Sequence, residues 1–212
     1  MGRELQAKCK QCRREGTKLF LKGEKCSTSK CPLLKRNYVP GTHGPKLGRG
    51  SRLTSYGLQL REKQKAKRTY RILEQQFRGY FEKSISKKGN TAELMFTLLE
   101  MRLDNVVYRS GFATSRDKAR QLVNHGLITV NGKKVTIPSY QVSVKEKIAI
   151  KDNKKKKPVF EGLSEKMQAI EINDWLAVDA KNMTATVIDK PTFEKSKPSF
   201  ELKPIIEFYS RQ

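Results

Sequence analysis

A chain of 212 residues suits one or two domains, and this one carries 45 Lys and Arg against 21 Asp and Glu, a formal charge of +24. That excess points to a polyanion, either nucleic acid or an anionic membrane surface. No apolar run approaches the roughly 20 residues needed to cross a bilayer, so the membrane reading is the weaker one and nucleic acid is the expected partner.

The opening Met1-Gly2-Arg3-Glu4-Leu5 lacks the apolar core of a secretory signal, and Gln6 stands where a myristoylation motif wants Ser or Thr. A cytoplasmic protein is expected. In that reducing compartment, paired cysteines serve as metal ligands more often than as disulfides. All four cysteines lie in the first 31 residues, as Cys9-x2-Cys12-x13-Cys26-x4-Cys31. Two close pairs across a short loop is the spacing of a closed tetrahedral thiolate site, which leaves no position for water and is structural rather than catalytic. Zinc is the expected ion, with an iron–sulfur cluster on the same four thiolates as the alternative.

The charge is uneven. Residues 1–68 hold 19 Lys and Arg against 4 Asp and Glu, a net of +15, while the rest hold 26 against 17. Large apolar side chains are sparse before residue 50, so this segment needs a metal or a partner to offset its ordering entropy. Lys8, Lys10, Arg13, Arg14, Lys18 and Lys22 surround the first cysteine pair and the loop after it as candidate phosphate contacts. A Gly- and Pro-rich arm follows at residues 38–50, carrying Tyr38, for base stacking or for packing on its own chain, with His43 and Arg49. His43 falls twelve residues past Cys31, but four cysteines already complete a shell, so it is read as a nucleic-acid contact or turn residue.

A helix is predicted over residues 51–68, with Tyr56 and Leu60 on its apolar stripe and Arg52, Arg61, Lys63, Lys65 and Arg68 offered to the partner. A second is expected over 74–83, where Phe77, Tyr80 and Phe81 share a face. A third, over 91–108, carries Leu94, Leu98, Met101, Leu103 and Val106 or Val107 as its buried stripe. Ser115 caps a fourth, with Ala119, Leu122 and Val123 inside and Gly126 as its left-handed stop. Its outer positions are Arg116, Arg120 and Asn124, with Lys118, Gln121 and His125 close by.

The period then changes to two. Segments 127–130 and 133–137 flank Asn131-Gly132, the strongest short hairpin signal, and the hairpin adds Asn131, Lys133 and Lys134 to the basic surface. Asp117 is the only acid between Arg116 and Lys145, so this face is not neutralised locally. Further strands are expected at 140–144, 147–150, 175–178 and 185–188, with a helix at 161–169. Trp175 is assigned to the core, and the apolar tail Ile205-Ile206-Glu207-Phe208-Tyr209 is assigned to packing on the earlier helices. The Lys154–157 run is read as a solvated loop. No catalytic motif is present, neither a phosphate loop nor a nucleophile elbow nor a His-x-Glu zinc signature, and Glu62 and Glu100 are read as helix ion-pair partners.

Residues 116–135 closely resemble the small RNA-binding motif of two helices and a twisted sheet that is named after small-subunit ribosomal protein number four. The resemblance to the bacterial-type members of that family extends along the chain, through the cysteine knuckle, Tyr38-x-Pro40-Gly41-x-His43-Gly44, 60–65, Arg102-Leu103-Asp104-Asn105-Val106-Val107-Tyr108-Arg109 and Ile206-Glu207-Phe208-Tyr209-Ser210-Arg211. It implies a primary binder of 16S ribosomal RNA, engaged early in small-subunit assembly, with other small-subunit proteins as neighbours. It also implies a place near the path by which messenger RNA enters, with an influence on translational accuracy, and a metal on the retained cysteines. The fold expected is α+β: a helical domain of 51–100 completed by 189–212, an RNA-binding domain at 101–188, and a metal knuckle with a basic arm at 1–50. An enzyme that borrows the motif would need a catalytic domain, for which the chain has no room. A free-standing regulator of messenger RNA or transcription is the alternative.

Overall fold

The structure is a computed structural model that describes residues 4, 6–44, 53–155, 157–168, 173–196 and 198–211. The helices in chain order are α1 (Lys8–Glu15), α2 (Pro32–Lys35), α3 (Ser55–Tyr70), α4 (Glu74–Ile85), α5 (Thr91–Glu100), α6 (Leu103–Arg109), α7 (Arg116–Asn124), α8 (Leu163–Gln168), α9 (Phe193–Ser196) and α10 (Lys203–Ser210). The strands are β1 (Ile128–Val130), β2 (Lys133–Lys134), β3 (Lys147–Ile150), β4 (Leu176–Asp179) and β5 (Thr184–Val187). Two compact units result: residues 1–95 with 198–212, and residues 96–197, the boundary falling inside α5.

In the first unit, Thr54 caps α3 by accepting from the Gly57 amide at 3.1 Å. The buried face of α3 is not the predicted Tyr56 and Leu60 stripe. It is Gln59, Lys63, Ala66, Thr69 and Tyr70, with Tyr56 exposed. The polar members of that face are tolerated because each has a partner: Gln59 donates to Glu207 at 2.8 Å and Lys63 to Glu74 at 2.7 Å. The face is covered by α10, whose Tyr209 stacks on Phe81 of α4 with ring centroids 4.9 Å apart. The α4 stripe of Phe77, Tyr80 and Phe81 is buried as its spacing predicts.

In the second unit, the single helix expected over 91–108 is two. Arg102 leaves the helical region at φ −68°, ψ 137°, because its neighbours take tertiary backbone bonds. The Leu103 amide donates to Tyr140 O at 2.8 Å, and the Val142 amide donates to Met101 O at 2.8 Å. The same bonds explain why 140–144 is not a strand: it makes one isolated bridge, Gln141 with Arg102. The buried positions of α5 are Met95, Phe96, Leu99 and Glu100, one step round from the expected Leu94 and Leu98.

Ser115 caps α7, accepting from the Lys118 amide at 3.3 Å. The hairpin forms where Asn131 and Gly132 take positive φ, 49° and 79°, although β2 is two residues long. The sheet is antiparallel in order β2-β1-β3-β5-β4. Its register puts Ile128 opposite Ile150 and Val130 opposite Ile148. These residues join Leu103, Val106 and Val107 of α6, Ala119, Leu122 and Val123 of α7, and Trp175 in one core. The helical and antiparallel mixture is therefore as expected. Among the described residues, no helix is long and apolar enough to cross a membrane.

Candidate nucleic-acid interface and cysteine recess

The core of the second unit holds α6 and α7 by apolar contact, but two buried polar chains fix how they sit. In the first, Asp104 receives Arg102 in a bidentate fork, Nε to Oδ1 at 3.0 Å and Nη2 to Oδ2 at 2.7 Å, and also Arg120 Nη1 at 3.3 Å. The Arg102 side chain is fully buried, and that of Arg120 is 7% exposed. In the second, Arg109 forks onto Glu100 at 3.0 and 2.9 Å, and the Asn105 amide donates to Glu100 at 2.8 Å. Asn105 Oδ1 then accepts from Arg116 Nε at 2.8 Å, and the Arg116 guanidinium lies 4.5 Å from the Tyr108 ring centre.

Arg116 and Arg120 are thus not on the outer face that their spacing predicts but act as braces, Arg120 buried and Arg116 half-buried. Simple i, i+4 spacing placed them outside, but Asp104 and Asn105, eleven or more residues away in sequence, supply anions and acceptors that draw both guanidiniums inward. What faces solvent is Lys118, Gln121, Asn124 and His125 of α7 and its cap, with Asn131, Lys133 and Lys134 of the hairpin. Asn131 also organises the turn, its Oδ1 accepting from the Lys147 amide at 2.9 Å. The two parts meet at Gly126: a Cβ there would lie 2.2 Å from Lys134 Cε, so the lysine stem crosses the end of α7 where any side chain would displace it. The exposed rim is polar and cationic, with its conformation held from beneath.

The basic residues of α3 are similarly reassigned. Lys63 is buried, bonded to Glu74 and 4.6 Å from the Phe208 ring. Lys67 and Tyr209 also donate to Glu74, at 3.0 and 2.6 Å. Burial opposes ionisation of Glu74, but these three donors outweigh it and lower its pKa to about 2. Lys65 pairs with Glu62. Arg61 and Arg68 both pair with Glu15 of α1, whose side chain is fully enclosed; burial pushes that carboxyl up, with Arg68 and Arg61 pulling it the other way. Three of these expected RNA ligands, Arg61, Lys63 and Arg68, therefore tie α3 to other helices, while Lys65 pairs within α3. Arg49 and Arg52 lie outside the described residues.

Around α1, Lys10, Arg14 and Lys22 are exposed, and Lys8 and Lys18 half-buried. Arg13 is occupied: its guanidinium lies 4.6 Å from the Tyr38 ring centre and its Nε donates to Tyr38 O at 3.0 Å. One face of Tyr38 is therefore covered, and stacking on a base is left to the other. His43 is exposed in a turn closed by Gly44, where a Cβ would sit 1.7 Å from Val39 O.

Cys9, Cys12, Cys26 and Cys31 line one recess with Leu21, Lys22 and Pro32. All four are free thiols, and Cys12, Cys26 and Cys31 are buried. Burial pushes the Cys12 thiol up, and the other three cysteines add to the effect. The Lys22 amide donates to Cys26 Sγ at 3.3 Å. The four share a recess; among the described residues, no group of three His, Cys, Asp or Glu side chains is arranged to hold a metal ion.

A braced helix pair against a short antiparallel sheet, with a cationic rim over α7 and the hairpin, defines an RNA-binding module of the S4 class. Residues 101–148 match the S4 domain, and residues 3–100 match the ribosomal protein S4/S9 N-terminal domain. The chain is 50% identical over 211 residues to small ribosomal subunit protein uS4 of Koribacter versatilis, covering 100% of both chains. It is 49% identical over 203 residues to uS4 of Natranaerobius thermophilus, covering 96% of each. Against uS4 of Clostridioides difficile it is 49% identical over 211 residues. The chain belongs to the family of small ribosomal subunit protein uS4, a family of ribosomal proteins rather than enzymes.

Sequence reasoning missed Arg102, Asp104 and Asn105 as organising residues. The available signal was a run of polar side chains, Arg102, Asp104 and Asn105, embedded in the most apolar stretch of the chain, where each needs a buried partner.

Proposed function

We propose that the chain is a structural constituent of the small ribosomal subunit that binds 16S ribosomal RNA early in assembly. Neighbouring small-subunit proteins and messenger RNA at its path of entrance are its further contacts, and through the latter it influences translational accuracy. The observation that carries this reading is the solvent-facing row Lys118, Gln121, Asn124, His125, Lys133 and Lys134, set on a core that fixes its shape. RNA helices hide base edges in a deep groove, so a rigid rim of cations and amides suits phosphates and 2′-hydroxyls. Co-sedimentation with small subunits in high salt tests constituency, since a free regulator would be washed off. Chemical footprinting on protein-free 16S RNA tests the contact itself. Neutralising some six to ten phosphates makes affinity fall by about a thousandfold or more between 50 and 200 mM salt; a flat titration would refute the electrostatic reading.

We also propose that Cys9, Cys12, Cys26 and Cys31 hold one structural metal. Four soft sulfur donors on one recess, with a backbone amide already directed at Cys26 Sγ, fit zinc, which such a set binds tetrahedrally. The metal would lock the loop between the two pairs and with it the direction of the surrounding lysines and arginines. An iron–sulfur cluster would use the same donors.

A further inference from the structure

We propose that a cleft beside α1 seats a single phosphodiester group of the bound RNA, with Gln11 as the residue that orients it. This inference rests on the RNA-binding reading and places one contact within it. The cleft is lined by Gln6, Ala7, Lys10, Gln11, Arg14 and Arg68, has a volume of about 380 Å³, and lies wholly in the first unit. Lys10 and Arg14, four residues apart on one face of α1, are both exposed. Ala7, at the N-cap, offers no side-chain cap and the first turn holds no acid, so the positive end of the helix is unscreened by its own residues.

An uncapped helix end among cations would not suffice to define a site. The second observation is Gln11. It is 2% exposed, and its Oε1 accepts from Arg71 Nη1 at 3.0 Å. Arg71 is itself tied to the Glu4 carbonyl at 2.6 Å. That contact fixes which end of the amide is carbonyl, and it leaves Nε2 without a partner among the described residues. A buried donor left unmade costs about 1–3 kcal/mol, and Gln11 forms part of the cleft wall. Nε2 is enclosed, so an acceptor oxygen arriving between Lys10 and Arg14 satisfies the amide only after a small shift of the cleft wall uncovers it. Arg68 adds positive potential there while remaining held by Glu15. A phosphodiester supplies two such oxygens and one negative charge, and the arrangement reads no base.

The test uses the full chain on transcribed 16S RNA, with phosphate-ethylation interference and a salt titration. Gln11→Glu keeps an acceptor for Arg71 but replaces the donor with a carboxylate, so it should abolish interference at one phosphate and weaken binding several-fold. Lys10→Gln with Arg14→Gln, at exposed positions, should reduce the slope of log affinity against log salt by roughly 1.4–1.8, about 0.7–0.9 per contact. It should erase interference at the same phosphate, which keeps the test decisive if Gln11→Glu fails to fold. Wild-type binding with both variants retaining its slope and interference pattern overturns the seat and leaves the RNA reading intact. Absence of salt-dependent RNA binding by the wild type overturns the RNA reading itself.

Discussion

Replacing Asp104 by Ala removes the one carboxylate shared by two buried guanidiniums, those of Arg102 and Arg120. Breaking a buried ion pair from one side costs about 3–5 kcal/mol, because the remaining charge stays desolvated without its counter-charge. The upper part of that range applies here: both arginines are enclosed and Asp104 receives three separate donor contacts. For a unit of about 100 residues, 1 kcal/mol moves the melting midpoint by roughly 4–8 °C, so the loss exceeds about 10 °C. Trp175 is the single tryptophan, lies 4% exposed in the core of the same unit, and reports its urea unfolding by fluorescence. Arg120→Ala is the internal comparison. It leaves Asp104 forked to Arg102 and should cost less, about 1–3 kcal/mol. An Asp104→Ala midpoint within about 0.5 kcal/mol of wild type, at unchanged denaturant dependence, would refute the brace.

Gly126→Ala should weaken RNA binding several-fold with the second unit still folded, since a Cβ at φ 64° both strains the helix stop and displaces Lys134; equal affinity by filter binding would show that the lysine's placement is immaterial. The folded-state pKa of Glu74 is depressed to about 2, so its contribution is present above the unfolded value of 4.5 and is lost as pH falls from there towards 2. Denaturation of wild type and Glu74→Gln, followed by circular dichroism, should therefore converge as pH drops from 7 to 3, and a constant gap would contradict the Lys63–Tyr209–Lys67 hub. Protein purified without chelator should carry one zinc and no colour, with Cys26→Ser losing the metal and becoming protease-sensitive before residue 44. Brown protein with iron and sulfide would indicate the cluster, and four titratable thiols with neither metal would dismiss the site.

The sequence by itself determined the local elements. Phe77, Tyr80 and Phe81 marked the α4 face, Ser115 and Gly126 bounded α7, and Asn131-Gly132 made the hairpin. Each is written in neighbours a few residues apart, through periodicity, capping or an allowed positive φ. Composition likewise announced a polyanion partner, since net charge is additive and needs no fold. Only the tertiary structure decided which cations are free to meet one. Arg116, Arg120, Lys63 and Arg68 read as surface charges along the chain, but each acquires a partner from another segment: Asn105, Asp104, Glu74 and Glu15. The break at Arg102 was hidden for the same reason, because the backbone bonds that compete with the helix come from residues 140–142. An exposed and a buried cation carry the same letter; desolvation, which depends on what folds over the side chain, separates a brace from a ligand.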